Sequence, residues 1–339
     1  MAHHRVWAHF LLLLNICLVV VALCPTALSQ GDDAHLTPRV KSNEVKIAAA
    51  GNAPELKPRP MRVDVDLVLV PVTVTDSFSR PVMTLTKEDF LLYEGEQPQR
   101  VQYFSNEDSP ISVALVLDFS ASMKNKVEYE RQAVGEFFTI ANPADEYFAI
   151  GVSRKPRLLA NSATSIETLE NALATMEPQG GTALFDGIYL GLQQLRTAHY
   201  KRKALVIVSD GGDNESRYTL KEIRSMVVES DVMVYAIGLF DDAPLPLFKT
   251  LEERWGRKTL GSITDMSGGR TIAADARDQI PQIAGIISRE LRYQYVLGYR
   301  PSSEARDGKW RKVRVSTVTG EGHPHLHVHY KEGYLAPEQ

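Results

Sequence analysis

The sequence predicts an α/β fold: a doubly wound, mostly parallel sheet, flanked in the chain by an N-terminal and a C-terminal β segment. Three observations carry this. Residues 111–117, 204–208 and 232–238 are nearly unbroken aliphatic runs, the pattern of strands buried on both faces of a parallel sheet. Segments with helical spacing alternate with such runs over residues 111–291. On either side of that span the pattern changes to period two, with turn residues between short runs.

Taken in order, residues 1–29 read as a signal peptide. The start is weakly basic, residues 6–24 are apolar, and Ala27 and Ser29 offer small side chains for cleavage before Gln30. Retention as an anchor is the alternative, because the apolar run approaches the length of a membrane span. Both cysteines, Cys17 and Cys24, fall in this segment, so the mature chain is expected to hold no disulfide. Export without disulfides fits a bacterial protein of the periplasm, cell surface or medium. Residues 30–60 are polar and aperiodic, a flexible tether.

The N-terminal β segment covers residues 61–108. A strand is expected over 63–75, where Pro71 argues for an edge position or a bulge. Thr86 caps a short turn, 90–93 forms a strand, and the chain turns at 94–96 to return through 101–104. The α/β unit, 111–291, adds helices at 127–141, 166–176, 183–195, 220–228 and 278–291. It also adds strands at 147–152 and 157–160 and a short edge strand at 271–273. In the C-terminal β segment, 292–336, Tyr293, Tyr295, Leu297 and Tyr299 alternate on one face, and strands follow at 310–318 and 325–330. Each β segment, at roughly 45 residues, is too small to hold a stable core alone. The simplest solution joins them into one β-sandwich-like domain interrupted by the α/β unit.

Net charge is −4 with no basic block, so nucleic acid is not an expected partner. After removal of the signal segment no run is long enough to span a membrane. The chemistry gathers at the ends of the buried strands, where open α/β sheets place ligand sites. Asp118, Ser120 and Ser122 follow the first run, Thr182 follows Gly180-Gly181 at a helix start, and Asp210 ends the second run. Together they offer two carboxylates and three hydroxyls, hard oxygen donors suited to Mg²⁺, with Mn²⁺ or Ca²⁺ as alternatives. Singly, each motif also reads as a helix cap or a turn. Their occurrence in this order, each at an element terminus of one unit, favours a metal site.

Other chemistries fit less well. A phosphotransferase of the haloacid dehalogenase kind starts from a similar Asp but wants an acid where Ser120 stands. Serine hydrolase chemistry needs a histidine base, and the α/β unit holds only His199 and no Gly-x-Ser-x-Gly elbow. His323, His325, His327 and His329 alternate along one strand face; His-x-His pairs can bind Zn²⁺, but a polar outer face is the plainer account.

With these residues in view, 111 to about 290 resembles a von Willebrand factor A domain, whose metal-ion-dependent adhesion site matches Asp118-Phe-Ser120-Ala-Ser122, Thr182 and Asp210. The resemblance implies a Rossmann-like fold and a divalent cation, usually Mg²⁺, on the upper sheet edge. It also implies that hydroxyls ligate directly, aspartates mostly through water, and an acidic side chain of a protein partner completes the shell. Ser209-Asp210-Gly211 stands where Thr-Asp-Gly is common. The flanks, Leu85 to Phe90, Tyr93-Glu-Gly95, Tyr295 to Tyr299 and Gly308 to Val313, resemble a group of exported bacterial proteins with such domains, well represented in Acidobacteria. The implied function is adhesion-type protein binding, not catalysis; a structural envelope protein with a fold-stabilising metal is the alternative, and a metal-dependent hydrolase a weaker one.

Overall fold

The computed structural model describes residues 67–163, 165–240, 251–274, 276–302, 305–318 and 326–337. The chain divides into Met1–Pro60 and Met61–Gln339, and every described residue belongs to the second unit. The expected signal segment, tether, His323 and His325 lie outside the described residues.

A six-stranded sheet forms the centre of the α/β unit. It is built from β5 (Ser112–Asp118), β6 (Glu146–Val152), β7 (Arg157–Ala163), β8 (Lys203–Ser209), β9 (Met233–Leu239) and β10 (Thr271–Ala274). Its order is β10-β9-β8-β5-β6-β7, all parallel except β7. Helices cover both faces: α1 (Val127–Thr139), α2 (Ile166–Ala174) and α6 (Gln279–Arg292) on one, α3 (Leu184–Arg196), α4 (Leu220–Glu229) and α5 (Leu251–Thr264) on the other. Alternate residues of β5 serve the two cores, Val113, Leu115 and Leu117 facing α1 and α6, Ala114 and Val116 facing α3. This explains the unbroken apolar run: a strand with no solvent face has no polar positions to show.

Two four-stranded antiparallel sheets make the second layer pair. One has the order β13-β1-β11-β4, from β1 (Val68–Thr75), β4 (Tyr103–Ser105), β11 (Tyr295–Tyr299) and β13 (His327–Tyr330). The other has the order β14-β12-β2-β3, from β2 (Phe90–Glu94), β3 (Gln97–Gln99), β12 (Trp310–Thr317) and β14 (Gly333–Leu335). Each sheet mixes strands from before and after the α/β unit. Val70, Val72, Val74, Tyr295, Leu297 and Tyr299 from one pack against Phe90, Leu92, Val313 and Val315 from the other. Two buried tyrosine hydroxyls of this core are satisfied: Tyr299 donates to Glu94 (2.8 Å) and Tyr295 to the Val82 carbonyl (2.7 Å).

Three differences from the sequence reading have physical causes. β1 is an interior strand, not an edge, but its ladder with β13 begins at Val72, so one side of Pro71 needs no N–H. The hairpin partner of β2 is β3, and the chain then crosses at buried Val101 into the other sheet as β4. Helix α5 was not anticipated, its spacing being broken by Gly256 and Gly261. Among the described residues no helix is long and apolar enough to cross a membrane.

Candidate metal centre

β5 and β8 are neighbours, and the chain leaves them in opposite directions, β5 toward β6 and β8 toward β9. Their carboxyl ends therefore flank the crevice where the strand order reverses. Asp118 ends β5 and is fully buried. Its Oδ1 accepts the Ser120 N–H (2.9 Å) and its Oδ2 accepts the Ser209 hydroxyl (2.7 Å), so both oxygens are oriented from within. Ser120 Oγ lies 3.1 Å from Ser122 Oγ, and Ser122 donates to Asp210 Oδ2 at 2.7 Å. Four of the five expected residues are thus joined in one chain of contacts.

Thr182 comes in on a second loop. The Ala121 N–H donates to the Gly180 carbonyl (3.1 Å) and the Gln179 N–H to the Phe119 carbonyl (2.9 Å), stitching this loop to the first. The Thr182 N–H is held by Asn214 Oδ1 (2.8 Å), and its carbonyl accepts the N–H groups of Asn214 and Glu215 (3.0 and 3.1 Å). Among the described residues no hydrogen bond links the Thr182 hydroxyl to the other four. Gly180, at φ +75°, and Gly211, at φ +80°, take left-handed turns that a side chain would strain.

The donor set fits a hard divalent cation. Every side-chain donor is oxygen, two of them from carboxylates. Neighbouring oxygens of an octahedral Mg²⁺ shell lie about 2.9 Å apart, comparable to the 2.7 and 3.1 Å spacings at Ser122. Burial, opposed by the Ser209 and Ser120 hydrogen bonds and reinforced by Asp210, raises the Asp118 carboxyl to about 6. Below it, Glu130 of α1 is buried with neither oxygen hydrogen-bonded, and burial and the Asp118 charge hold its carboxyl well above the ordinary range. Buried Lys126 donates to the Leu239 carbonyl (3.0 Å).

Exposure is graded across the site. Asp118, Ser120 and Thr182 are buried, Asp210 is half-buried and Ser122 is exposed. The side of Ser122 and Asp210 is therefore open to an incoming group. His199 lies far from it: its N–H donates to Glu146 Oε2 (2.9 Å) at the amino end of β6. Around His327 and His329 no cluster of three His, Asp or Glu side chains forms among the described residues.

Several supports were not singled out in the sequence. Ser209, noted there only as a departure from Thr, orients Asp118. Asn214 sits in a polar turn that gives no hint of a partner. Glu130 had a signal: it falls three residues after Val127 and four before Val134, on the apolar stripe of α1.

No curated protein matches the sequence. Among solved structures, the conserved hypothetical protein BatB from Bacteroides thetaiotaomicron aligns with 16% identity over 53% of this chain and 98% of its own, at a TM-score of 0.42. A von Willebrand factor type A protein from Catenulispora acidiphila aligns with 10% identity over 80% and 73%, at 0.47. The pilus adhesin SpaC from Lactobacillus rhamnosus GG aligns with 15% identity over 74% and 48%, at 0.45. The family match is in the sequence itself: residues 113–212, from β5 through the Asp210 loop, match the von Willebrand factor type A domain. The matched span takes in the first part of the α/β unit and all five expected site residues.

Proposed function

We propose that the protein is an exported, non-enzymatic binding module that captures an acidic side chain of a protein partner through a divalent cation, Mg²⁺ in the first instance. Asp118, Ser120, Ser122, Thr182 and Asp210 would hold the ion, Asp118 and Asp210 supplying charge and the hydroxyls neutral donors. A bound cation of this kind supplies Lewis acidity toward a carboxylate oxygen. The single observation that carries the reading is the graded exposure: the buried side of the donor set is closed by Ser209 and Ser120, while Ser122 and Asp210 face outward. A purely fold-stabilising ion would be enclosed on all sides. The one histidine of the α/β unit, His199, is anchored at the opposite end of the sheet and offers this site no imidazole for general acid–base catalysis.

The test is capture from the native envelope fraction on immobilised full-length protein, with Mg²⁺ and again with EDTA. Wild type should retain a partner only with the metal, and Asp210→Ala should retain none in either condition. Retention that is indifferent to EDTA would overturn the mechanism. A large fall in melting temperature on EDTA, with nothing retained under any condition, would establish the structural role instead.

A further inference from the structure

The rim of the site is electrically asymmetric about Thr182. On the β6 side stands Arg154. The Ala183 N–H donates to the Ser153 carbonyl (2.8 Å), which ties the chain just before Arg154 to the residue just after Thr182. The side chain then lies along the loop itself: its Cγ and Nε are each 2.8 Å from where a Cβ on Gly180 would stand. A side chain at 180 would displace it. Arg154 is exposed, as is Lys155 beside it, and among the described residues its guanidinium has no hydrogen-bond or ion-pair partner. On the β8 side stands Glu215, whose Oε1 is 2.9 Å from the corresponding position on Gly181. Asp210 and Asp213 lie on that side too, and the cation there, Arg217, is bonded to Asp186 (3.1 Å). Arg154 and Glu215 form no ion pair with each other.

We infer that Arg154 is a second anion-recognising group of the site, so that the partner presents two carboxylates: one to the ion and one, on the β6 flank, to Arg154. This rests on the reading of the site as a metal-dependent acid-capturing centre. A guanidinium is built for this task, since its planar fork pairs with both oxygens of a carboxylate and holds its charge at every pH. Its packing on Gly180 fixes its position beside Thr182 before binding, which lowers the ordering cost. Glu215, Asp210 and Asp213 repel a second acid on the opposite flank, so the rim also sets which way an acidic segment crosses the site.

The experiment uses the full chain and immobilised Gly/Ser peptides carrying one Glu, or two separated by one or two residues, each with Mg²⁺ and with EDTA. Mn²⁺ affinity of every variant is measured in parallel by calorimetry. Wild type should bind a two-acid peptide about tenfold more tightly than the one-acid peptide in Mg²⁺, a gap near 1.4 kcal/mol. Arg154→Ala should bring the two together with Mn²⁺ affinity unchanged, Arg154→Lys should restore part of the gap, and Glu215→Gln should keep it. A gap in Arg154→Ala as large as that of wild type, or no gap in wild type while both peptides bind with Mg²⁺, overturns the inference and leaves the metal-capture reading standing. Absence of Mg²⁺-dependent binding to any peptide sinks that reading and this inference with it.

Discussion

Asp210 owes its position to the absence of two side chains. A Cβ on Gly256 of α5 would stand 2.1 Å from the Asp210 carbonyl oxygen, and one on Gly211 would stand 2.5 Å from the Gly256 carbonyl. Helix and loop therefore touch through backbone alone. Gly256→Ala must push the loop away from α5 and carry Asp210 from Ser122. Its expected effect is a loss of Mn²⁺ affinity of tenfold or more with the fold retained. Gly261→Ala on the same helix is the control, because its nearest neighbour, Asp265 Oδ2, is 4.0 Å away. There the better helix propensity of Ala should raise stability by about 0.5–1 kcal/mol. Calorimetric titration with thermal melts on both variants checks this; equal metal affinity would show that the glycine contact does not position the site. Ser209 gives a second residue-level prediction. Ser209→Ala leaves a buried Asp118 oxygen without its donor, a cost of about 1–3 kcal/mol, whereas Ser209→Thr should keep both the bond and the stability. Melting temperatures that rank Ala with wild type would refute it. The candidate site residues stand out in the sequence because their types and spacings mark them. Gly256 was not, because a glycine in a polar stretch signals only weak helix until the loop it touches is known.

At the level of elements, the two crossings between the sandwich and the α/β unit are held by a pair of arginines. Arg292, at the end of α6, bonds to Asp108 on the incoming crossing and to buried Asp145. Asp145 also accepts the Ile111 N–H (2.9 Å) and the Asn142 N–H (2.9 Å). Arg202 donates to the Ser109 carbonyl (2.6 Å) and to the Leu291 carbonyl, joining the incoming and outgoing crossings. Upstream, Ser288 donates to the Phe137 carbonyl (3.0 Å) and Glu290 pairs with Arg270. Helix α6 is tied at its last two turns to α1 and to the segments that enter β5, β6, β8 and β10. Arg292→Ala strands a buried carboxylate, and such a loss costs about 3–5 kcal/mol. A fall in melting temperature well beyond that of an exposed-arginine control such as Arg80→Ala is expected; an equal fall would show that the cluster holds nothing. The strands of this unit were legible because β5, β8 and β9 have no polar face. Helix α5 was not, since Gly256, Gly261 and a run of charges hide its period. The place of β1 was misjudged because Pro71 argues against one ladder only, and which neighbour lacks that ladder is decided by β13, some 255 residues later.

The described residues form a sandwich opened at one point to admit a second fold. The two meet where Gly268, at φ +86°, lets the backbone approach Lys331, and where Lys331 donates to the Ser230 carbonyl (2.7 Å). His329 is half-buried near this junction; its partial burial, with Arg270 and His327 adding repulsion, lowers it to about 4. A histidine depressed below its ordinary value near 6.5 is protonated first in the unfolded chain, so stability is full above that value and is lost as pH falls from about 6.5 toward 4. His329→Gln should flatten this part of the melting-temperature profile, and superimposable profiles would rule the junction out as its source. The architecture has a further consequence. The sequence showed two undersized β segments, and pairing needs both: β1 lies against β11, and β2 against β12. The strands that bracket the α/β unit are themselves partners, with Ser105 of β4 opposite Val296 of β11. Residues 109–292 thus enter and leave at neighbouring strand ends, where a short turn suffices to close the chain. The sandwich core is also a cluster of its own, sharing no buried residue with the two cores of the central sheet. Replacing 109–292 by a short Gly-Ser linker should therefore give a cooperatively folding β protein. It should be less stable than the intact chain, since Thr73 and His329 lose their cover, while residues 61–108 alone should show no cooperative transition. Circular dichroism melts of the two proteins decide it: a folded 61–108, or an unfolded linker fusion, would mean that the sandwich is not an independent domain interrupted by the α/β unit.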